Sequence, residues 1–308
     1  MEKCTTMLKL VAACGVVAVA CGALASSAMA SYPGAKNGLI AYVNQGVRTM
    51  HADGSGKTLL DRYGTDPIWS PDGKRIAYVR TGDIWIMNAD GTNKLRVTTA
   101  TSQEFSPTWS PDGSKIAFVS YRNPAGTVYQ LNSTKPFGSP VAIYTEGVDY
   151  EPVYQALWSS TGTMAVARYT ESSSDGGCCQ IDLVTGATTL QHLTFCIACN
   201  ADWGPKGLSI AFMNGREDPN DPYSVIRREI DWLNVGTGAS HELAVPNYIF
   251  DNNPAWAPTG GSLLYDEYLN NYSTGQTTTS GIYKMRADGT GRVLLARPGR
   301  DPNWQPIP

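Results

Sequence analysis

The chain has 308 residues, 42% of them hydrophobic and 17% charged, with a net charge of −3. Nothing in that balance supplies the clustered basic face that a nucleic-acid partner needs. Beyond the N-terminus no apolar run approaches the roughly twenty residues of a membrane span.

The chain opens on Lys3 and Lys9, followed by the uncharged, largely apolar run Leu10 to Leu24 and the small-x-small site Ala28-Met29-Ala30. This order of a basic start, a short apolar run and small residues reads as a signal peptide over residues 1–30. Lipidation at Cys21, in Ala18-Val-Ala-Cys21, is the other processing route compatible with the residues. Either route exports the chain to the periplasm or beyond. Loss of Lys3, Lys9 and Glu2 leaves 22 basic against 26 acidic residues. Residues 31–308 are expected to form one domain, with a core large enough for a closed β architecture.

Residues 38–62 then carry three short strand-like runs, the second ending in Met-His-Ala-Asp-Gly54. From there a phrase recurs: Trp69-Ser-Pro-Asp-Gly73, Trp109-Ser-Pro-Asp-Gly113, Trp158-Ser-Ser-Thr-Gly162, Trp203-Gly-Pro-Lys-Gly207, Trp256-Ala-Pro-Thr-Gly260 and a truncated Trp304-Gln-Pro306. The Trp-to-Trp intervals are 40, 49, 45, 53 and 48 residues, a period that stacked four-stranded modules produce. Each phrase is a turn, in which Pro fixes φ and Gly supplies φ > 0. A β-branched and aromatic strand follows, such as Arg75-Ile-Ala-Tyr-Val79 or Lys115-Ile-Ala-Phe-Val119. Third strands end in Ala-Asp-Gly at residues 91 and 289, and fourth strands begin at Leu95 and Val293.

The first unit lacks a Trp phrase and the last phrase lacks a unit. The C-terminal segment is therefore expected to supply the innermost strand of the N-terminal unit, closing a ring and removing free edges. The expected fold is all-β, a six-bladed β-propeller of four-stranded meanders. Its blades fall at about 38–62 plus 301–306, then 66–99, 105–146, 152–195, 200–245 and 252–297. Residues 122–148, rich in Pro and Gly, blur the outer strands of the third blade. Acidic residues Glu217 to Tyr223 and polar residues Asn270 to Ser280 read as insertions in blades five and six.

The order Trp-Ser-Pro-Asp-Gly, Ile-Ala-Tyr-Val, Ile-Trp-Ile-Met-Asn-Ala-Asp-Gly and Leu-x-x-Thr resembles the repeat of the TolB-type propellers. The resemblance covers nearly all of residues 31–308 and implies a six-bladed propeller that binds a protein or peptide at its channel mouth. TolB carries an α/β domain before its propeller. Here the propeller is expected within about eight residues of the cleavage site, giving a propeller without that domain.

The repeat Trp residues are read as wedges between blades. Three positions before each Trp stand Asp66, Ser106, Gln155, Asn200, Asn253 and Asp301, expected as a polar ring at one channel mouth. With Glu104 and Glu151 on neighbouring loops, they are the candidate partner contacts. The ring suits a peptide or protein, possession of two carboxylates also suits a hard cation such as Ca2+, and simple solvation of the channel is the third reading. No cofactor and no metal site is otherwise implied, and the chain is expected as a monomer, associated with the envelope through its partner.

Enzyme chemistry finds little footing. The three His residues (His51, His192 and His241) fall in three different expected blades, and no Gly-x-Ser-x-Gly elbow exists. Carboxylate-based glycoside chemistry across the channel stays open, so a carbohydrate-active or sugar-binding propeller is the alternative function. Gly54-Ser-Gly-Lys-Thr58 lacks the first Gly and the helix of a phosphate loop, and the Ala-Asp-Gly segments lack the distal Glu of a calcium loop. After export Cys178, Cys179, Cys196 and Cys199 remain, in a compartment that favours disulfides. A turn near Gly186 would bring Cys178 to Cys196 and leave Cys179 to Cys199. Zinc is the rival use of Cys196-x-x-Cys199.

Overall fold

A computed structural model describes residues 35–122, 126–145, 152–170, 178–187, 189–193, 198–218, 221–243, 250–268, 270–271, 276–277 and 281–308. Residues 1–34, Glu151 and Cys196 lie outside them.

The Trp phrases are strand-to-strand turns, as their chemistry requires. In the sharpest copy Gly73 N–H donates to the Ser70 carbonyl at 2.9 Å, and the Asp72 carboxylate accepts from Lys74 N at 3.0 Å. Gly73 has φ +67, and a Cβ there would sit 2.2 Å from the Pro306 carbonyl oxygen, so only glycine fits. The Ala-Asp-Gly turns are closed in the same way: Asp53, Asp90 and Asp288 each accept from the backbone N–H two residues on.

Six four-stranded antiparallel blades result. Blade one pairs Arg300–Ile307 with Lys36–Val43, then Val47–Met50 and Thr58–Asp61. Ile40 stands opposite Trp304 and Ala41 opposite Asn303. The two ends of the chain therefore close the ring. Blade two is Gly64–Trp69, Arg75–Arg80, Asp83–Asn88 and Leu95–Arg96, and blade three is Glu104–Trp109, Lys115–Ser120, Thr127–Asn132 and Val141–Thr145. The outer strands of blade three are well formed despite the Pro and Gly content around them. Blade four is Val153–Trp158, Met164–Thr170, Cys178–Gly186 and Thr189–His192.

Blade five is Ala198–Trp203, Ser209–Asp218, Asp221–Asn234 and Ser240–Glu242. The acidic insertion lengthens its central hairpin, with Asp218 opposite Asp221. Blade six is Phe250–Trp256, Ser262–Tyr268, Gly281–Arg286 and Val293–Ala296. Its insertion holds a two-residue strand pair, Asn270–Asn271 with Gln276–Thr277. Among the described residues a single parallel bridge, Arg228 to Phe250, joins blades five and six into one eight-stranded sheet.

The six innermost strands each touch their two neighbours and encircle the axis. The hydrophobic core is divided among six wedges, one per blade boundary. Ala41, Val47 and Leu60 of blade one meet Trp69, Ile76 and Tyr78 of blade two, and Ile40 and Tyr42 meet Leu264 and Ile282 of blade six. Every repeat Trp packs in the wedge against the preceding blade. A buried Trp removes about 200 Å² from water, roughly 5 kcal/mol of gross apolar transfer at ~25 cal/mol per Å². Arg75 clamps the next blade as well, lying 4.6 Å over the Trp109 ring while donating to the Ser133 and Gly113 carbonyls. Among the described residues no helix is long and apolar enough to cross a membrane.

Candidate functional site: the axial channel

The polar ring comes together. Asp66, Ser106, Gln155, Asn200, Asn253 and Asp301 all line one cavity of about 220 Å³ at a mouth of the axial channel. The backbone explains why these residue types stand there. Each innermost strand carries one extra residue at this point, seen as a register shift against its neighbour in every blade. The bulge puts Asp66, Ser106, Asn200, Asn253 and Asp301 in the left-handed region, with φ between 43° and 51°. Asn and Asp tolerate that region better than other non-glycine residues. Bulges of this kind redirect side chains and are frequent beside functional sites. Gln155 is the exception, without positive φ, and it spans to blade five through Gln155 Nε2 to Ala201 O at 3.0 Å and Ala201 N to Gln155 Oε1 at 2.8 Å.

Asp66 and Asp301 stand on adjacent blades. Burial raises the Asp66 carboxyl against the opposing pull of Arg300. Burial and the charge of Asp66 push Asp301 up to about 6, again against Arg300. Asp301 is held by Asn253 Nδ2 at 2.9 Å and Arg300 Nη1 at 2.7 Å. Both residues are partly exposed and line the chamber.

Beneath the mouth the channel narrows to about 40 Å³ between the six repeat Trp residues. The wedge residues thus also form an aromatic collar, and the wide polar chamber opens at the Asp66 end. The residue before each Trp forms a layer at the level between chamber and collar, four of the six lining both cavities, Ala255 only the chamber and Thr108 only the collar. It alternates around the ring as Asn303, Ile68, Thr108, Leu157, Asp202 and Ala255. The polar members accept from the backbone N–H of the next blade's Trp: Trp69 N to Asn303 Oδ1 at 2.9 Å, Trp158 N to Thr108 Oγ1 at 3.2 Å and Trp256 N to Asp202 Oδ2 at 2.7 Å. After two of the apolar members the bond runs from the indole instead, Trp109 Nε1 to Ile68 O and Trp203 Nε1 to Leu157 O, both at 3.2 Å. The six blades therefore behave as three pairs. Burial lifts the Asp202 carboxyl to about 7, offset in part by the N–H groups of Trp256 and Trp203.

One further candidate falls elsewhere. Glu104 is fully buried at the start of its strand, paired to Arg122 at 2.5 Å, and does not line the chamber; its side chain serves the blade. Glu151 lies outside the described residues. Thr108, Asp202 and Asn303 escaped the sequence reading, although the alternation of apolar and polar residues before each Trp was there to be seen. Among the described residues no group of three or more His, Cys, Asp or Glu side chains is placed to hold a metal. The aromatic side chains lining the mouth, Phe105 and Tyr154, are both partly buried, so the mouth presents prolines and small polar groups.

Residues 60–175 match the family model of the TolB beta propeller domain. No curated protein sequence matches the chain. Among solved structures the chain is similar to TolB from Acinetobacter baumannii, at 20% identity and a TM-score of 0.68, over 87% of this chain and 66% of that one. It is also similar to a putative TolB from Agrobacterium tumefaciens, at 18% identity and a TM-score of 0.62, over 85% and 89% of the two chains. Hydrazine synthase from Kuenenia stuttgartiensis shares the fold at 11% identity and a TM-score of 0.68, over 94% of this chain and half of that one. The chain spans just under two-thirds of the Acinetobacter protein. In fold and repeat it is a TolB-like six-bladed propeller.

Proposed function

We propose that this propeller is an exported, non-catalytic scaffold that binds a protein or peptide partner at the Asp66 mouth of its channel. The observation that carries the reading is the bulge. Five of six ring residues hold positive φ and share one backbone, yet their side chains differ from blade to blade. A ring built only to fill space would repeat its residues as the collar does. Left-handed non-glycine residues cluster where a site must be shaped, and hydrogen-bonding amides and carboxyls over rigid prolines suit an extended backbone. The leader over residues 1–30 supports a periplasmic or secreted location and the resemblance supports an envelope-associated partner, bound by a monomer.

The test is capture from an envelope extract with the wild-type chain and with Asp66→Ala combined with Asp301→Ala. The double variant is expected to lose the captured partner while keeping its melting temperature within a few degrees. Undiminished capture would refute the mouth as the binding site.

The pairing of Cys178 with Cys196 and of Cys179 with Cys199 belongs to the same exported state. It is supported by Cys179, which is disulfide-bonded, and by an oxidising compartment that favours such bonds. Intact mass after native purification should show no free thiol among the four.

A further inference from the structure

The channel is asymmetric along its axis, and the asymmetry specifies what can reach its floor. Entry is through the polar chamber of about 220 Å³, and the Trp collar leaves only about 40 Å³ beyond it, on the order of a few water molecules. Between them lies the alternating layer. Its apolar members, Ile68, Leu157 and Ala255, come from one set of alternate blades. The polar members, Thr108, Asp202 and Asn303, come from the other set and stand one-third of a turn apart. Each polar oxygen is oriented by a backbone N–H of the next blade and retains a further lone pair. Asp202 brings the only formal charge in the layer. Among the described residues it has no ion pair, and no neighbouring charged side chain acts on it.

Resting on the mouth-binding reading above, we propose that the channel floor is a receptor for a primary ammonium, the side chain of a partner lysine threaded past the mouth. An ammonium has three N–H donors in a trigonal set, matching three acceptors spaced around the axis. Its unbranched four-carbon stem is thin enough to follow a channel and packs on apolar surface, here the rings of Pro67, Pro107, Pro254 and Pro302 that line the chamber above the layer. One carboxylate balances one positive charge. A divalent cation would call for more anionic oxygens, and a guanidinium is a wide planar fork of five donors with no matching plane in a ring of three. The aromatic collar adds quadrupole attraction for a cation stopped above it.

The test uses the whole chain, with n-butylammonium as probe and Trp emission as the reading, because all six repeat Trp residues line the collar. Saturable n-butylammonium binding at pH 8 is expected, with tetramethylammonium, n-butylguanidinium and CaCl2 failing to compete. Asp202→Asn keeps an oxygen for Trp256 N and should weaken binding at least tenfold, with an unchanged melting temperature. If that variant does not fold, Thr108→Val should still weaken binding several-fold. Acetyl-Gly-Lys-Gly-amide should compete, and Gly-Gly-Gly-amide with its free terminus should not. No saturable response, equal binding to Asp202→Asn, displacement by CaCl2, or competition by the free terminus alone would each overturn the proposal. Partner capture surviving such a failure would leave the mouth reading standing. Loss of capture in the Asp66/Asp301 variant with n-butylammonium still bound would leave the floor assignment free of partner identity.

Discussion

At the Trp end of the channel the six blades agree in side chain, whereas at the mouth they agree in backbone and differ in side chain. Each collar Trp has the same job, filling a wedge against the preceding blade, so any other residue leaves a cavity. At the mouth the strand bulge is repeated in every blade and fixes where a side chain points, not which one it is. Repetition of a residue therefore marks packing in this molecule, and repetition of a conformation with varied residues marks the surface available for recognition.

Four experiments would break or sharpen that contrast, beginning with the largest effect. Trp109→Ala is expected to cost about 3–5 kcal/mol, read by thermal and denaturant melts, since Trp109 is almost fully buried and also supports Arg75. A small loss of stability with abolished partner capture would reverse the assignment of collar and mouth.

The pH dependence comes next. Asp202 and Asp251 have carboxyls raised to about 7 and Asp301 to about 6. A raised carboxyl keeps its proton in the folded state after the unfolded chain has released it. Stability is therefore greatest at low pH for these groups and falls as pH rises from about 4 through 7. Asp251 is fully buried, and among the described residues neither carboxyl oxygen has a hydrogen-bond partner. Asp251→Asn, which has no proton to release, should thus raise stability at pH 8 by about 2 kcal/mol through loss of the ionisation cost, and change little at pH 5. An equal effect at both pH values would show that charge is not the cause.

Two turn glycines separate strain from crowding. Gly73→Ala meets the Pro306 carbonyl at the seam where the chain ends meet, whereas Gly162, with φ +89, has open space around it. Gly162→Ala should cost about 1 kcal/mol, and Gly73→Ala clearly more. The smallest effect belongs to the mouth: Asn200→Gly should leave stability within about 0.5 kcal/mol, while Asn200→Val, forced to positive φ, should lose about 1–2 kcal/mol. Melting curves of the pair check this. Equal stabilities would mean that the left-handed bulge does not select residues there.

Much of the architecture was legible because its signals are local. Pro-Asp-Gly turns, the alternation of strand residues and the lone Trp304 phrase report on neighbours a few residues away or on a simple count of units. The ring residues were legible for the same reason, standing at a constant offset from Trp. Glu104 was misplaced because an offset of two residues along a bulged strand changes which face a side chain takes, and sequence spacing does not reveal the bulge. The seam between blades five and six was equally hidden, since a single bridge from Arg228 to Phe250 leaves no pattern in either strand.

By itself the sequence determined the number of blades, the turns between strands and the closure of the ring by its two ends, because each rests on short-range chemistry repeated along the chain. Only the tertiary structure decided that the strands bulge into positive φ at the mouth, that the charge of Asp66 raises the Asp301 carboxyl from the adjacent blade, and that Thr108, Asp202 and Asn303 share one layer. The bulge depends on pairing between neighbouring strands and the other two on residues from different blades, because burial and charge act through space.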